Sequence, residues 1–132
     1  MLSLPENKSD KGGCLRFLNL ENLTFIPQRM FWVCDVPAGE YRGGHGHFKD
    51  KQQLFCIKGK IIVNFYSKNG FESYVLNEGD SCFMDNMVWS EQLYDTGQDI
   101  LLVLCSERFD QQDYFYNKRE VYDENILHGS GL

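Results

Sequence analysis

Two histidines, His45 and His47, stand two apart in the run Arg42-Gly43-Gly44-His45-Gly46-His47. Residues two apart on a β-strand share a face, so the run offers two imidazoles to one side. Imidazole titrates near neutral pH and can take up and return a proton. Metal binding is the competing use. Stable transition-metal sites take at least three protein ligands, and the pair supplies two. The pair is therefore read as acid–base equipment in a dry pocket, with no metal and with either ring as the base. Arg42 lies three residues before His45, an odd offset that turns it to the opposite face of a regular strand. The Gly43-Gly44 pair can kink the strand and change that. Arg42 and the upstream Arg29 are candidates for a bidentate grip on phosphate. Trp32, Trp89 and Tyr94 can stack on a base or flank a sugar ring. Glu91 can orient a histidine, and Tyr41 and Gln53 complete the candidate substrate contacts.

These residues need a scaffold of strands. Short apolar or alternating runs follow one another, separated by turn residues. They are Cys14–Leu20, Gln28–Val36, Tyr41–His47, Gln53–Ile57, Ile61–Tyr66, Phe71–Leu76, Ser81–Met84, Trp89–Tyr94 and Ile100–Ser106. Asn69-Gly70 is a hairpin signal, because it readily supplies the positive φ angles of a tight turn. Turns about every 8–12 residues indicate an all-β sandwich or barrel. Residues 1–13 read as a flexible lead-in, 14–122 as the one domain, and 123–132 as a disordered tail. From Phe109 to about Asn125 the strand pattern lapses. That stretch suits one or two helical turns on the barrel, or an extension onto a partner.

The chain has 132 residues, which suits one domain. Its formal charge is −6, against nucleic-acid or anionic-membrane binding through bulk charge. A local cationic pocket for a small anion stays compatible with that balance. Five cysteines at wide spacings, with no Cys-x-x-Cys and no signal peptide, suggest free thiols in a reducing cytoplasm. No apolar run approaches the ~20 residues that span a bilayer.

The run from Arg29 to Gly59 resembles the hallmark segment of the WxcM-like cupins, the dTDP-4-keto-6-deoxyglucose 3,4-ketoisomerases of bacterial surface-sugar pathways. The matching positions are Arg29, Phe31, Trp32, Pro37, Gly39, Arg42, Gly43, His45, His47, Gln53 and Gly59. A second match runs through Trp89 and Glu91, then from Leu101 to Tyr114. The resemblance covers roughly residues 12 to 122. Metal-binding cupins carry a Glu where this chain has Lys51 and Gln52, and a second-half His where it has Ser90. Gly46 replaces the family's usual Ala, and Trp89-Ser90-Glu91 replaces its Trp-His-Glu.

The resemblance implies an antiparallel jelly-roll (cupin) barrel, all-β, with a short C-terminal extension. It implies a homodimer with strand exchange at the N-terminal end, no cofactor, and a dTDP-linked 4-keto-6-deoxyhexose as substrate. The implied reaction moves the carbonyl from carbon 4 to carbon 3. One of His45 and His47 acts as base and the other orients it or polarises the carbonyl. Arg42 or a tyrosine hydroxyl steadies the oxyanion, and Arg29 takes the diphosphate. The alternatives are a non-catalytic sugar-nucleotide-binding cupin, a 3,5-epimerase and a metal-dependent cupin.

Overall fold

A computed structural model describes residues 1–8 and 10–122. The expected tail, 123–132, lies outside the described residues. Among the described residues twelve strands form, all pairs antiparallel. They are β1 Leu2–Ser3, β2 Glu6–Lys8, β3 Cys14–Arg16, β4 Arg29–Val33, β5 Glu40–His47, β6 Gln52–Lys58, β7 Lys60–Ser67, β8 Gly70–Asn77, β9 Asp80–Met84, β10 Trp89–Tyr94, β11 Ile100–Cys105 and β12 Tyr114–Phe115. One sheet runs β1-β9-β6-β11-β4, the other β12-β5-β10-β7-β8, and β2-β3 form a separate ribbon. The two five-stranded sheets face each other as a jelly-roll barrel, the all-β class expected.

Alternation explains the packing. On β7, Ile61, Val63 and Phe65 turn inward, and on β11 Leu101, Val103 and Cys105 do the same. They meet Leu54, Cys56, Leu76 and Tyr94 in one core between the sheets. A one-residue slip would expose every one of these side chains, so the register is firmly set. At the β7–β8 hairpin Ser67 pairs with Gly70, and Gly70 takes the positive φ of 114°.

Residues 1–13, expected as a flexible lead-in, hold β1 on the edge of β9 and β2 against β3. Past the barrel, 3-10 turns form at Gln111–Asp113 and Lys118–Tyr122, with β12 between them. This segment lies on the outer face of the second sheet. Phe115 and Val121 join Met87 and Trp89 there in a second apolar cluster. A Cβ at position 46 would lie 2.3 Å from the Phe115 ring and 2.5 Å from the Val88 carbonyl. That close approach accounts for glycine between the two histidines.

Candidate active site

The histidine strand is irregular where the glycines sit. Ser90 of β10 pairs with His45, but Glu91 pairs with Gly43, so Gly44 is an extra residue. Gly43 and Gly44 have φ of 93° and 76°, values that favour glycine. This is a β-bulge, which re-aims the residues on one side of it. Arg42 pairs with Gln92 and His45 with Ser90. Ser90 and Gln92 are two apart on a regular strand, so Arg42 and His45 end on the same face despite their odd offset.

That face lines a cavity of about 430 Å³ inside the barrel. Arg29, Phe31 and Val33 come from β4, and Arg42 and His45 from β5. Ser90, Gln92 and Tyr94 come from β10, with Gln52, Phe109 and Tyr114 closing the rest. A groove of about 570 Å³ lies elsewhere, bordered by Lys68, Glu72, Tyr74 and Asp85. It contains no imidazole.

His47 is buried beside the cavity, 2% exposed. Its ring centroid lies 5.1 Å from that of His45 and 4.4 Å from that of Tyr114, which also packs 4.9 Å from His45. β12 holds that tyrosine, because Tyr114 pairs with His47. Among the described residues neither His47 nitrogen has a hydrogen-bond partner, and the buried Tyr94 hydroxyl lacks one too. Burial pushes the His47 imidazole down to about 4, with Asp50 acting to raise it and His45 and Arg29 to lower it further. Burial also lowers His45, against a hydrogen bond to the Gly43 backbone. Both rings are thus neutral near pH 7.

The two arginines differ. Arg29 donates through Nη2 to Asp50 Oδ2 at 2.9 Å, and its guanidinium lies over Phe31 and Phe109. Arg42 is exposed at the cavity wall. It makes no ion pair or side-chain hydrogen bond with a described residue. Of these two arginines, the one without an ion-pair partner among the described residues is therefore Arg42.

Other expected site residues face elsewhere. Trp32 alternates with Phe31 and Val33 and points outward, 62% exposed. Tyr41 is exposed on the face opposite Arg42. Gln53 donates to Ser81 Oγ at 3.0 Å on the outer side of β6, while its neighbour Gln52 faces the cavity. Trp89 is buried under the C-terminal segment, where its Nε1 donates to the Tyr116 carbonyl at 3.1 Å. Glu91 accepts from Asn64 Nδ2 on the outer face of β10. The structure thus brings together His45, His47, Arg42, Arg29 and Tyr94. It leaves Trp32, Tyr41, Gln53, Trp89 and Glu91 outside the cavity.

Sequence reading missed Gln52, Ser90, Gln92, Phe109 and Tyr114 as cavity residues. Ser90, Gln92 and Tyr94 share a parity, so the choice of Tyr94 carried a signal for the other two. Among the described residues, no three His, Cys, Asp or Glu side chains gather where they would hold a metal ion.

A jelly-roll barrel with His45 and Arg42 on one interior wall, and His47 packed against His45, defines a protein of the cupin class. The chain belongs to the FdtA, WxcM-like C-terminal family, whose model matches residues 1–125. It is 27% identical over 106 residues to the TDP-4-oxo-6-deoxy-alpha-D-glucose-3,4-oxoisomerase of Aneurinibacillus thermoaerophilus, covering 79% of this chain and 76% of that protein. QdtA, a sugar 3,4-ketoisomerase from Thermoanaerobacterium thermosaccharolyticum solved with TDP, superposes with a TM-score of 0.82 at 25% identity, over 98% of this chain and 94% of QdtA. WlaRB, a TDP-quinovose 3,4-ketoisomerase from Campylobacter jejuni, gives 0.79 at 26% identity, over 96% and 95%.

Burial of His47 has a consequence for stability. Its folded pKa, about 4, lies below the unfolded value of 6.5. Between those values the unfolded chain binds more protons, so stability is present above pH 6.5 and falls as pH drops toward 4. A shift of that size corresponds to roughly 3 kcal/mol once the window is crossed. Melting temperature is expected to fall more steeply from pH 7 to pH 4 in the wild type than in His47→Asn. Equal slopes in the two proteins would show that the ring is not buried neutral.

Proposed function

We propose that the chain is a 3,4-ketoisomerase acting on a dTDP-linked 4-keto-6-deoxyhexose. The observation that carries this reading is the placement of His45 and the unpaired Arg42 on one wall of one cavity, with His47 against His45. The family and the activities of the relatives named above support it.

The chemistry needs few groups. The ketone at carbon 4 acidifies the proton on carbon 3. One imidazole of the pair removes that proton, giving an enediol. The carbon-4 oxygen gains a proton in the enediol; protonation at carbon 4 with loss of the carbon-3 hydroxyl proton then leaves the carbonyl on carbon 3. The reaction is internally balanced and uses no external oxidant. Two neutral, desolvated imidazoles in contact form a compact proton-carrying unit. The developing oxyanion requires a fixed donor, and the Tyr114 hydroxyl and the Arg29 guanidinium are candidates on the cavity wall.

Charge orients the ligand. Arg29 is compensated by Asp50, so the diphosphate goes to Arg42 and the sugar points inward toward His45. This reassigns the diphosphate from Arg29 to Arg42. Buried polar atoms without partners cost free energy. The Tyr94 hydroxyl, on a residue that lines the cavity, is suited to gaining a partner when sugar hydroxyls enter.

We propose also that the chain acts as a homodimer. Met30 and Trp32, exposed side by side on the outside of edge strand β4, support this, because large exposed apolar residues mark association surfaces. Five cysteines without disulfides and a nucleotide-sugar substrate support action in a reducing cytoplasm. Among the described residues, no helix is long and apolar enough to cross a membrane.

Proton NMR with dTDP-4-keto-6-deoxyglucose in deuterium oxide tests the activity. The wild type is expected to yield a 3-keto sugar carrying deuterium at carbon 4. The His45→Asn/His47→Asn variant is expected to lose turnover and keep nucleotide affinity within about tenfold. Tight binding by the wild type without exchange at carbon 3 would replace the enzyme reading with a binding module. Sedimentation at micromolar concentration is expected to return twice the 15.4 kDa chain mass. A monomer there would contradict the dimer.

A further inference from the structure

Two buried carboxylates, Asp50 and Asp99, are each 1% exposed. They serve different masters. Asp99 accepts from the backbone of Lys60, Thr96 and Gly97 and from the Thr96 hydroxyl. Those are turn groups remote from the imidazoles, and they make Asp99 a staple of the loops. Asp50 accepts from Arg29 Nη2 at 2.9 Å, Gln52 Nε2 at 2.9 Å, the Glu107 backbone N–H at 3.0 Å and Ser106 Oγ at 3.4 Å. Two of those donors, Arg29 and Gln52, line the cavity.

The segment carrying Asp50 is itself clamped. The Lys49 and Asp50 backbone N–H groups donate to the two oxygens of Asp113, at 2.8 and 3.1 Å. The Phe48 N–H donates to the Asp113 carbonyl at 2.9 Å. Asp113 is followed by Tyr114, the ring against both histidines. One carboxylate thus ties the two polar side chains at one end of the cavity to the turn that follows the histidine strand.

We infer that Asp50 is a positioning residue of the reaction, holding Arg29 and Gln52 in the cavity wall beside the histidine pair. The inference rests on the proposed isomerase reading. Asp50 does not line the cavity, so its effect reaches the substrate through the groups it holds. A buried guanidinium left without its carboxylate swings or draws in water, and a misplacement of about 1 Å at a reacting centre can cost two orders of magnitude. Asp50 also acts through space on His47. The charged and titratable groups facing that ring are Asp50, His45 and Arg29, with Tyr114 packed on it from β12.

The test compares wild type, Asp50→Asn, Asp99→Asn and Arg29→Gln. Asp50→Asn is expected to lower kcat about tenfold or more, with KM within about threefold. Asp99→Asn is expected to lower melting temperature and leave kcat near wild type. Nitrogen NMR of the His47 ring supplies a readout independent of turnover. Its titration midpoint is expected to fall in Asp50→Asn and rise in Arg29→Gln. Wild-type kcat in a folded Asp50→Asn, or a His47 midpoint unmoved by either change, would overturn the inference. If Asp50→Asn does not fold, Asp50→Glu decides it: a folded protein with kcat reduced and KM within about threefold supports positioning, and wild-type kcat overturns it. A wild type inactive on the substrate would defeat the isomerase reading, and the NMR midpoints would still judge Asp50.

Discussion

The extra residue at Gly43–Gly44 sets the direction of every side chain that precedes it in β5. Without the bulge, Arg42 would point to the outer face and β5 would give the cavity wall His45 without a guanidinium beside it. With it, a guanidinium and an imidazole three residues apart stand side by side. Positive φ at both glycines allows the bulge without the strain an L side chain would meet. Gly46, two residues on, serves a different end. Its missing Cβ admits Phe115, which seats β12 and so brings Tyr114 onto both histidine rings.

Charge is then distributed in depth. Arg29 is matched by Asp50 within the protein, while Arg42 has no ion-pair partner among the described residues. An acidic chain of net charge −6 can hold an anion only through such a local exception. Between the arginines, burial keeps the histidines neutral and leaves the His47 nitrogens and the Tyr94 hydroxyl unpartnered. Those groups favour a polar ligand that brings its own hydroxyls. The barrel wall around them is apolar, with Leu54, Leu101 and Val103 at the lining.

The scaffold was legible because its strands are short and clearly bounded. Trp89–Tyr94 was read as a strand with the bounds it has, and Ile61–Tyr66 falls inside β7. Parity was harder. On β4 both alternating sets are large and apolar, Met30 with Trp32 and Phe31 with Val33, so composition did not say which faces inward. The same ambiguity exchanged Gln53 for Gln52 after a turn of unknown path. Trp89 is buried, as an aromatic in a barrel should be, but under the C-terminal segment and not in the cavity. β12 was invisible because it is two residues long and forms only through its pairing with His47 and Gly46.

The central claim is that Arg42 and His45 serve one ligand. It is tested most directly by a crystal structure of the His45→Asn/His47→Asn variant with dTDP-4-keto-6-deoxyglucose bound. The account predicts diphosphate oxygens within hydrogen-bond distance of the Arg42 guanidinium, with the hexose against residue 45 and Tyr114. A diphosphate seated on Arg29 with Arg42 turned to solvent, or a sugar outside the barrel, would contradict it.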